Sequence, residues 1–308
     1  MTSLSALPAP ISSRRKKRTP PTAAFSGLTT RFWISLLFLL SLPLQAAQAQ
    51  SRTGESCGET EPCMVSNGFY NITLPENHTP ASEEPVAAIM FFHGWQGQSS
   101  AVMRNKSLVR LARRLGVALI APNGEGKTWS YPGSPRQHRN EFDFIRAVRE
   151  DAIERFNIAP DRIMATGFSM GGSMVWNLAC FSGEDFAGFA PVAGAFWEPL
   201  PERCPSPVPN MVHVHGTSDT VVPIAGRPIG LQWKQGDMWE SLAVWQKQGQ
   251  FEASDENLAE DGRLTCQIWT DRAPSDLFEV CLHSGGHSIR TEWVERAWQK
   301  LSEAKGWH

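Results

Sequence analysis

None of the apolar runs in this 308-residue sequence reaches the ~20 residues that a membrane-crossing helix needs; the run from Phe32 to Leu44 has 13. No CxxC pair is present, so the usual zinc-site spacing is missing. Beyond residue 49 there is no internal repeat, no Pro/Thr or Gly/Ser linker and no low-complexity tract, which leaves one domain as the simplest arrangement. Positive charge is scarce there too. Residues 50–308 hold 23 Lys+Arg against 31 Asp+Glu, a formal charge of −8, which argues against nucleic acid or an anionic membrane as partner.

What is present begins with a basic segment. Residues 1–49 carry Arg14, Arg15, Lys16, Lys17, Arg18 and Arg31 and no acidic residue, then the apolar run, then Gln45 to Ala49. That order is the pattern of a secretory signal peptide with small residues at Ala47 and Ala49 as the cleavage site. It predicts export of residues 50–308, to a periplasm or out of the cell, with no stable membrane insertion after cleavage. A retained anchor is a weaker reading, because the apolar run is short for a membrane span, and a nuclear address or a twin-arginine signal is weaker because thirteen residues separate Arg18 from Phe32.

Six cysteines follow: Cys57, Cys63, Cys180, Cys204, Cys266 and Cys281. An even count in an exported chain predicts disulfides, and proximity pairs 57 with 63, 180 with 204 and 266 with 281. The last pair flanks the strand-like runs 265–270 and 277–282 around a turn with Pro274 and Asp276.

Apolar runs bounded by turn residues alternate with segments of helical period, the pattern of an α/β fold with a mostly parallel sheet flanked by helices. The expected strands are 69–74, 86–92, 117–121, 162–166, 189–193 and 212–215, besides the two cysteine-bearing runs. Expected helices cover 99–115, 142–156, 170–180, 236–247 and 289–304.

The chemistry centres on Gly167-Phe-Ser-Met-Gly-Gly172, between a strand and a helix. A serine on such a tight turn exposes its Oγ above the sheet, so Ser169 is the candidate nucleophile. A serine hydroxyl needs a base and a group to orient that base. On sheets of this kind an acid and then a histidine follow the serine along the chain. Asp219, in HGTSDTVVP, and His287, in SGGHS, both come directly after strand-like runs. Asp237 and Asp185 are the rival acids and His283 the rival base. His78, His138 and His308 read as structural, while His213 and His215 alternate on one strand face without a third ligand to make a metal site. The expected oxyanion donors are the backbone N–H groups of Met170 and Trp95, with Gly94 as the alternative to Trp95 and His93 as a loop-ordering side chain. Trp95, Trp129 and Trp197 fall at the predicted C-terminal strand ends, where open α/β sheets place ligands, so Trp129 and Trp197 are substrate-pocket candidates. Trp176 and Trp298 read as core, and Trp233, Trp239 and Trp245 lie in an insertion after Asp219 that is either a lid or packing.

The set FFHGWQG, GFSMGGSMVWNLAC, APVAGAFWEPLP, VHVHGTSDTVVP and SGGHS resembles the polyhydroxybutyrate depolymerase-like esterases, relatives of feruloyl and acetyl xylan esterases in the α/β-hydrolase superfamily. The resemblance covers nearly all of residues 50–308. It implies a single α/β-hydrolase catalytic domain, a Ser169–His287–Asp219 triad, no metal or organic cofactor, and a small or oligomeric ester as substrate. Depolymerases of solid polyester typically add a linker and a polymer-binding domain, which this sequence does not contain. The resemblance therefore implies an esterase more firmly than any one polymer. A secreted serine peptidase and a non-catalytic binding protein are the competing functions; oligomeric state is unspecified.

Overall fold

In the computed structural model, strand β3 (Val86–Phe92) shows how the sheet is covered. Ala88, Met90 and Phe92 pack into one apolar cluster, and Ile89 and Phe91 into another on the opposite face. Strand β4 (Ala118–Pro122) divides the same way, Ala118 and Ile120 to one side and Leu119 and Ala121 to the other. A period of two with both faces apolar is what a parallel strand between two helical layers requires.

The structure describes residues 57–250, 258–261, 263–269 and 277–307, with no side-chain account of 258–261. All of them fall in one compact unit, Thr53–His308. The predicted signal segment 1–49, the turn with Pro274 and Asp276, and His308 lie outside the described residues. Among those described, no helix is long and apolar enough to cross a membrane.

The remaining elements are β1 (Cys63–Val65), β2 (Gly68–Thr73), α1 (Ser99–Met103), α2 (Lys106–Leu115), α3 (Glu141–Phe156), β5 (Ile158–Phe168), α4 (Met170–Phe181), β6 (Gly188–Val192), β7 (Met211–Gly216), β8 (Arg227–Ile229), β9 (Trp233–Gln235), α5 (Met238–Gly249), β10 (Leu258–Asp261), β11 (Leu264–Ile268), β12 (Phe278–His283) and α6 (Thr291–Lys305). Ten strands make one sheet in the order β1-β2-β4-β3-β5-β6-β7-β12-β11-β10, and β8 pairs with β9 apart from it. The six strands from β4 to β12 run parallel and both flanks are antiparallel. The chain moves outward from β3 to β4 and returns to β5 on the other side, so the loops after β3 and β5 meet at a topological switch point.

The expected alternation of strands and helices is present; the short edge strands β1 and β10 add to it, and two expected segments are divided differently. The helix expected over 99–115 is two helices, because Arg104 caps the first and the Asn105 side chain accepts from the N–H groups of Ser107 and Leu108 to start the second. The insertion after Asp219 begins with the β8–β9 hairpin, its strands only three residues each, before α5 starts at the Asp237 cap. Trp245 of that insertion is fully buried and packs on Phe196, while Trp233 and Trp239 remain partly exposed.

Three disulfides join the pairs expected: Cys57–Cys63, Cys180–Cys204 and Cys266–Cys281. The last crosses directly opposed residues of β11 and β12, and Cys180–Cys204 ties the end of α4 to the loop between β6 and β7. Closing a loop of some 15 to 25 residues stabilises a chain by about 3 kcal/mol in the loop-entropy picture.

Candidate active site

Ser169 joins β5 to α4 with φ 59° and ψ −122°, a left-handed conformation that a non-glycine residue adopts only under constraint. The constraint is visible. Its N–H donates to Val192 O (3.0 Å), and its carbonyl accepts from Ser173 N as the first bond of the helix (2.9 Å). Gly171 allows the helix to approach the end of β3, since a β-carbon there would strike the carbonyls of Phe92 and His93. The glycines of GFSMGG are therefore a steric condition for holding Ser169 against β3.

The acid is held as firmly. Asp219 follows β7 in a turn closed by Asp219 N donating to Gly216 O. Its side chain is fully buried. Oδ1 accepts from the N–H groups of Val221 and Val222, both at 2.8 Å, which leaves Oδ2 to bind His287 Nδ1 at 2.7 Å. Because the carboxylate can only accept, Nδ1 carries the proton and Nε2 is the ring's free base. The His287 ring lies against that of Phe168, the neighbour of Ser169, with centroids 4.5 Å apart. The turns bearing acid and base are tied together: Thr217 N donates to His283 O, Ser218 N to Gly285 O and Ser218 Oγ to Ser284 O. The rival base, His283, is engaged elsewhere, accepting from Gly285 N and stacking on Trp293. Of the rival acids, Asp237 caps α5 and Asp185 faces Arg146.

Gly94 O accepts from Gly97 N (2.9 Å) and from His93 Nδ1 (2.8 Å). Carbonyl and N–H of one trans peptide point in opposite directions, so the Trp95 N–H, which shares that peptide, faces away from these two donors. A β-carbon on Gly94 would lie 3.6 Å from Ser169 Cβ, so this peptide borders the serine. Met170 N–H heads α4, where helix geometry provides no acceptor. His93 is itself fixed, since Gly124 N donates to its Nε2 at 3.0 Å.

Trp129 requires a correction as a pocket candidate. It is fully buried, its indole N–H donates to His93 O at 2.8 Å, and its ring packs on His93 and Phe92, so it supports the loop from below. Trp197 does line the cavity at Ser169, with Trp95, Met170, Val221, Val222 and Ile229. That cavity has a volume of about 530 Å³. The β8–β9 hairpin lines it through Arg227, Ile229 and Gln235, and Arg136 and His138 also stand in its lining, residues that no sequence motif singles out.

His213 and His215 form a directed hydrogen-bond chain. An indole N–H only donates, so Trp176 Nε1 gives to His213 Nδ1 (3.3 Å), His213 Nε2 then gives to His215 Nδ1 (3.1 Å), and His215 Nε2 gives to Val222 O (2.8 Å). All four ring nitrogens are engaged, which leaves none for a metal. The chain ends on the turn whose amides hold Asp219, and His215 Nε2 is 3.7 Å from Asp219 Oδ2.

Burial holds the pKa of His213 well below its usual value and lowers those of His215 and His93. Unfolded histidines take up protons below a pH of about 6.5 and these do so less readily, so stability is complete above that pH and lost as the pH falls, by up to about 1.4 kcal/mol per pH unit for each. Glu141, pushed up to about 7 by burial, works in the opposite direction but is one group against three. Urea unfolding is expected to show a lower midpoint at pH 5.5 than at pH 7; equal midpoints would contradict the neutral histidine chain.

No family model matches the chain. It is 33% identical over 152 residues to NocK of Nocardia uniformis subsp. tsuyamanensis, a protein assigned as an esterase, covering 48% of this chain and 44% of that one. It is 26% identical over 171 residues to feruloyl esterase C of Emericella nidulans, covering 53% and 59%. It is also 26% identical over 156 residues to a bifunctional acetylxylan esterase/xylanase of Neocallimastix patriciarum, covering 49% and 21%. The chain thus spans less than two thirds of the length of each. Among solved structures, an acetyl xylan esterase from Aspergillus awamori superimposes with a TM-score of 0.55 at 14% identity, over 76% of this chain and 94% of that one. The S-formylglutathione hydrolase of Staphylococcus aureus gives 0.51 at 14%, over 77% and 92%. With the parallel sheet and the serine turn, these likenesses show the α/β-hydrolase fold.

Proposed function

We propose that this chain is a serine carboxylic-ester hydrolase with Ser169, His287 and Asp219 as its triad. The observation that carries this reading is the joint geometry of two parts. A serine is held at φ 59° between strand and helix, and a histidine whose ring lies against the adjoining Phe168 has Nδ1 bound to a buried carboxylate at 2.7 Å. Further support comes from the curated relatives, whose names are those of esterases.

Ser169 Oγ attacks the ester carbonyl as His287 Nε2 takes its proton. The N–H groups of Met170 and Trp95 stabilise the oxyanion, and His287 returns the proton to the departing alcohol. Water, deprotonated by the same Nε2, then cleaves the acyl-enzyme to release the acid. The three disulfides accord with an oxidising compartment, and with the signal-like residues 1–49 they support export.

For the substrate, the joint motif order favours a polyhydroxybutyrate depolymerase-like esterase. The second reading, an esterase of plant cell-wall feruloyl or acetyl groups, is favoured by the names of the fungal relatives. Assay of a short-chain aryl ester, a hydroxybutyrate oligomer and methyl ferulate separates them. The first two are expected to be hydrolysed; rapid turnover of methyl ferulate with an inert oligomer selects the second reading. Inertness toward all three, alongside peptide cleavage, overturns the esterase.

A further inference from the structure

The cavity at Ser169 is cationic in a domain that is otherwise acidic. Its charged lining consists of Arg136 and Arg227, with His138 beside them and no Asp or Glu in the wall. Residues 50–308 together carry a formal charge of −8, so this local reversal of sign is not a property of the surface at large.

Arg227 is built into place. Its Nε donates to Val221 O at 2.9 Å and to Gln235 Oε1 at 3.2 Å, across the β8–β9 pair in which Arg227 and Gln235 are direct partners. Gln235 is 6% exposed, and the following residue is bound to the wall through Gly236 N donating to Phe196 O at 2.9 Å. Anchoring through Nε leaves the two terminal nitrogens of the guanidinium unengaged, and among the described residues no carboxylate lies within 4 Å of Arg227 or of Arg136. The acid nearest in sequence to Trp197, Glu198, is neutralised by Lys234. A half-buried guanidinium held without a counter-ion is costly to desolvate, and its planar fork matches a carboxylate.

We propose that the site takes esters that carry a carboxylate, with Arg227 as the anchored receptor of that group and Arg136, in the same lining, assisting it. This rests on the ester-hydrolase reading of Ser169. The carboxylate belongs either to the acyl part or to the alcohol, and two matched pairs distinguish these: 4-nitrophenyl hydrogen adipate against its methyl adipate counterpart, and 4-acetoxybenzoate against its methyl ester.

The wild type is expected to favour the anionic member of at least one pair by tenfold or more in kcat/KM, mainly through KM, with the preference shrinking as salt is raised. In Arg227→Gln the ratio of anionic to neutral kcat/KM is expected to fall to about one, and Arg227→Lys to keep part of it. Equal rates within both pairs overturn the proposal. So does a drop of both members together in Arg227→Gln, which would make Arg227 a support of the Val221 turn only. Binding of 4-acetamidobenzoate, an amide that is not turned over, is read in parallel by tryptophan fluorescence. Should no ester be hydrolysed, the ester reading fails, while retained 4-acetamidobenzoate binding that weakens at least tenfold in Arg227→Gln still supports the anion site; no binding by the wild type overturns it.

Discussion

Ser169→Ala is expected to abolish labelling by a fluorophosphonate probe and to lower kcat for a 4-nitrophenyl ester by about 10⁶. The protein should stay folded. Alanine meets the same left-handed φ of 59° as serine, the N–H still donates to Val192 O and the carbonyl still accepts from Ser173 N, so only the hydroxyl is lost. A residue of about 10³ to 10⁴ over the uncatalysed rate should persist, because the amides of Met170 and Trp95 still polarise the carbonyl. Labelling that survives in this variant, with an unchanged circular dichroism spectrum, would move the nucleophile elsewhere.

Asp219→Asn should be nearly as damaging for a different reason. The two N–H groups of Val221 and Val222 accept nothing and can face only an oxygen, so the asparagine must place its carbonyl where Oδ1 now sits. Its NH2 then faces His287 Nδ1 and has to find a lone pair there. The imidazole proton is driven to Nε2, where it points at the serine and removes the base. A fall in kcat of about 10⁴ is expected, with little change in thermal midpoint. A loss smaller than tenfold in a folded variant would show that Asp219 does not set the tautomer.

The serine turn and its partners were legible because the features that build them are local. GFSMGG lies between an apolar strand and a helix of small and apolar residues, and Asp219 and His287 each come within a few residues of a strand end. The cysteine pairs were legible from nearness along the chain. The split of the first helix was marked only by Asn105, whose capping role depends on which N–H groups its side chain meets. The β8–β9 hairpin was hidden by strands too short to show alternation, with Pro228 inside one of them. Contacts between distant residues were out of reach. The donation from Trp176 to His213 spans 37 residues, so a pair that looked like possible ligands became a hydrogen-bond chain only in three dimensions. Trp129 lies in the loop after β4, and whether such an indole faces solvent or the underside of the neighbouring loop is decided by His93 O, 36 residues away. Arg227 belongs to the same class, since an isolated arginine in a loop-rich segment carries no periodicity.

The three hydrogen bonds that bind the 217–219 turn to residues 283–285 have a bearing on how such a protein can diversify. A change in length or sequence on one side of that seam must be matched on the other, or acid and base lose their common frame. The hairpin from 227 to 235 and the loop around Arg136 contribute no member of the triad, yet they border the same cavity. Drift toward new substrates should therefore accumulate there, so that one half of the rim stays fixed while the other explores.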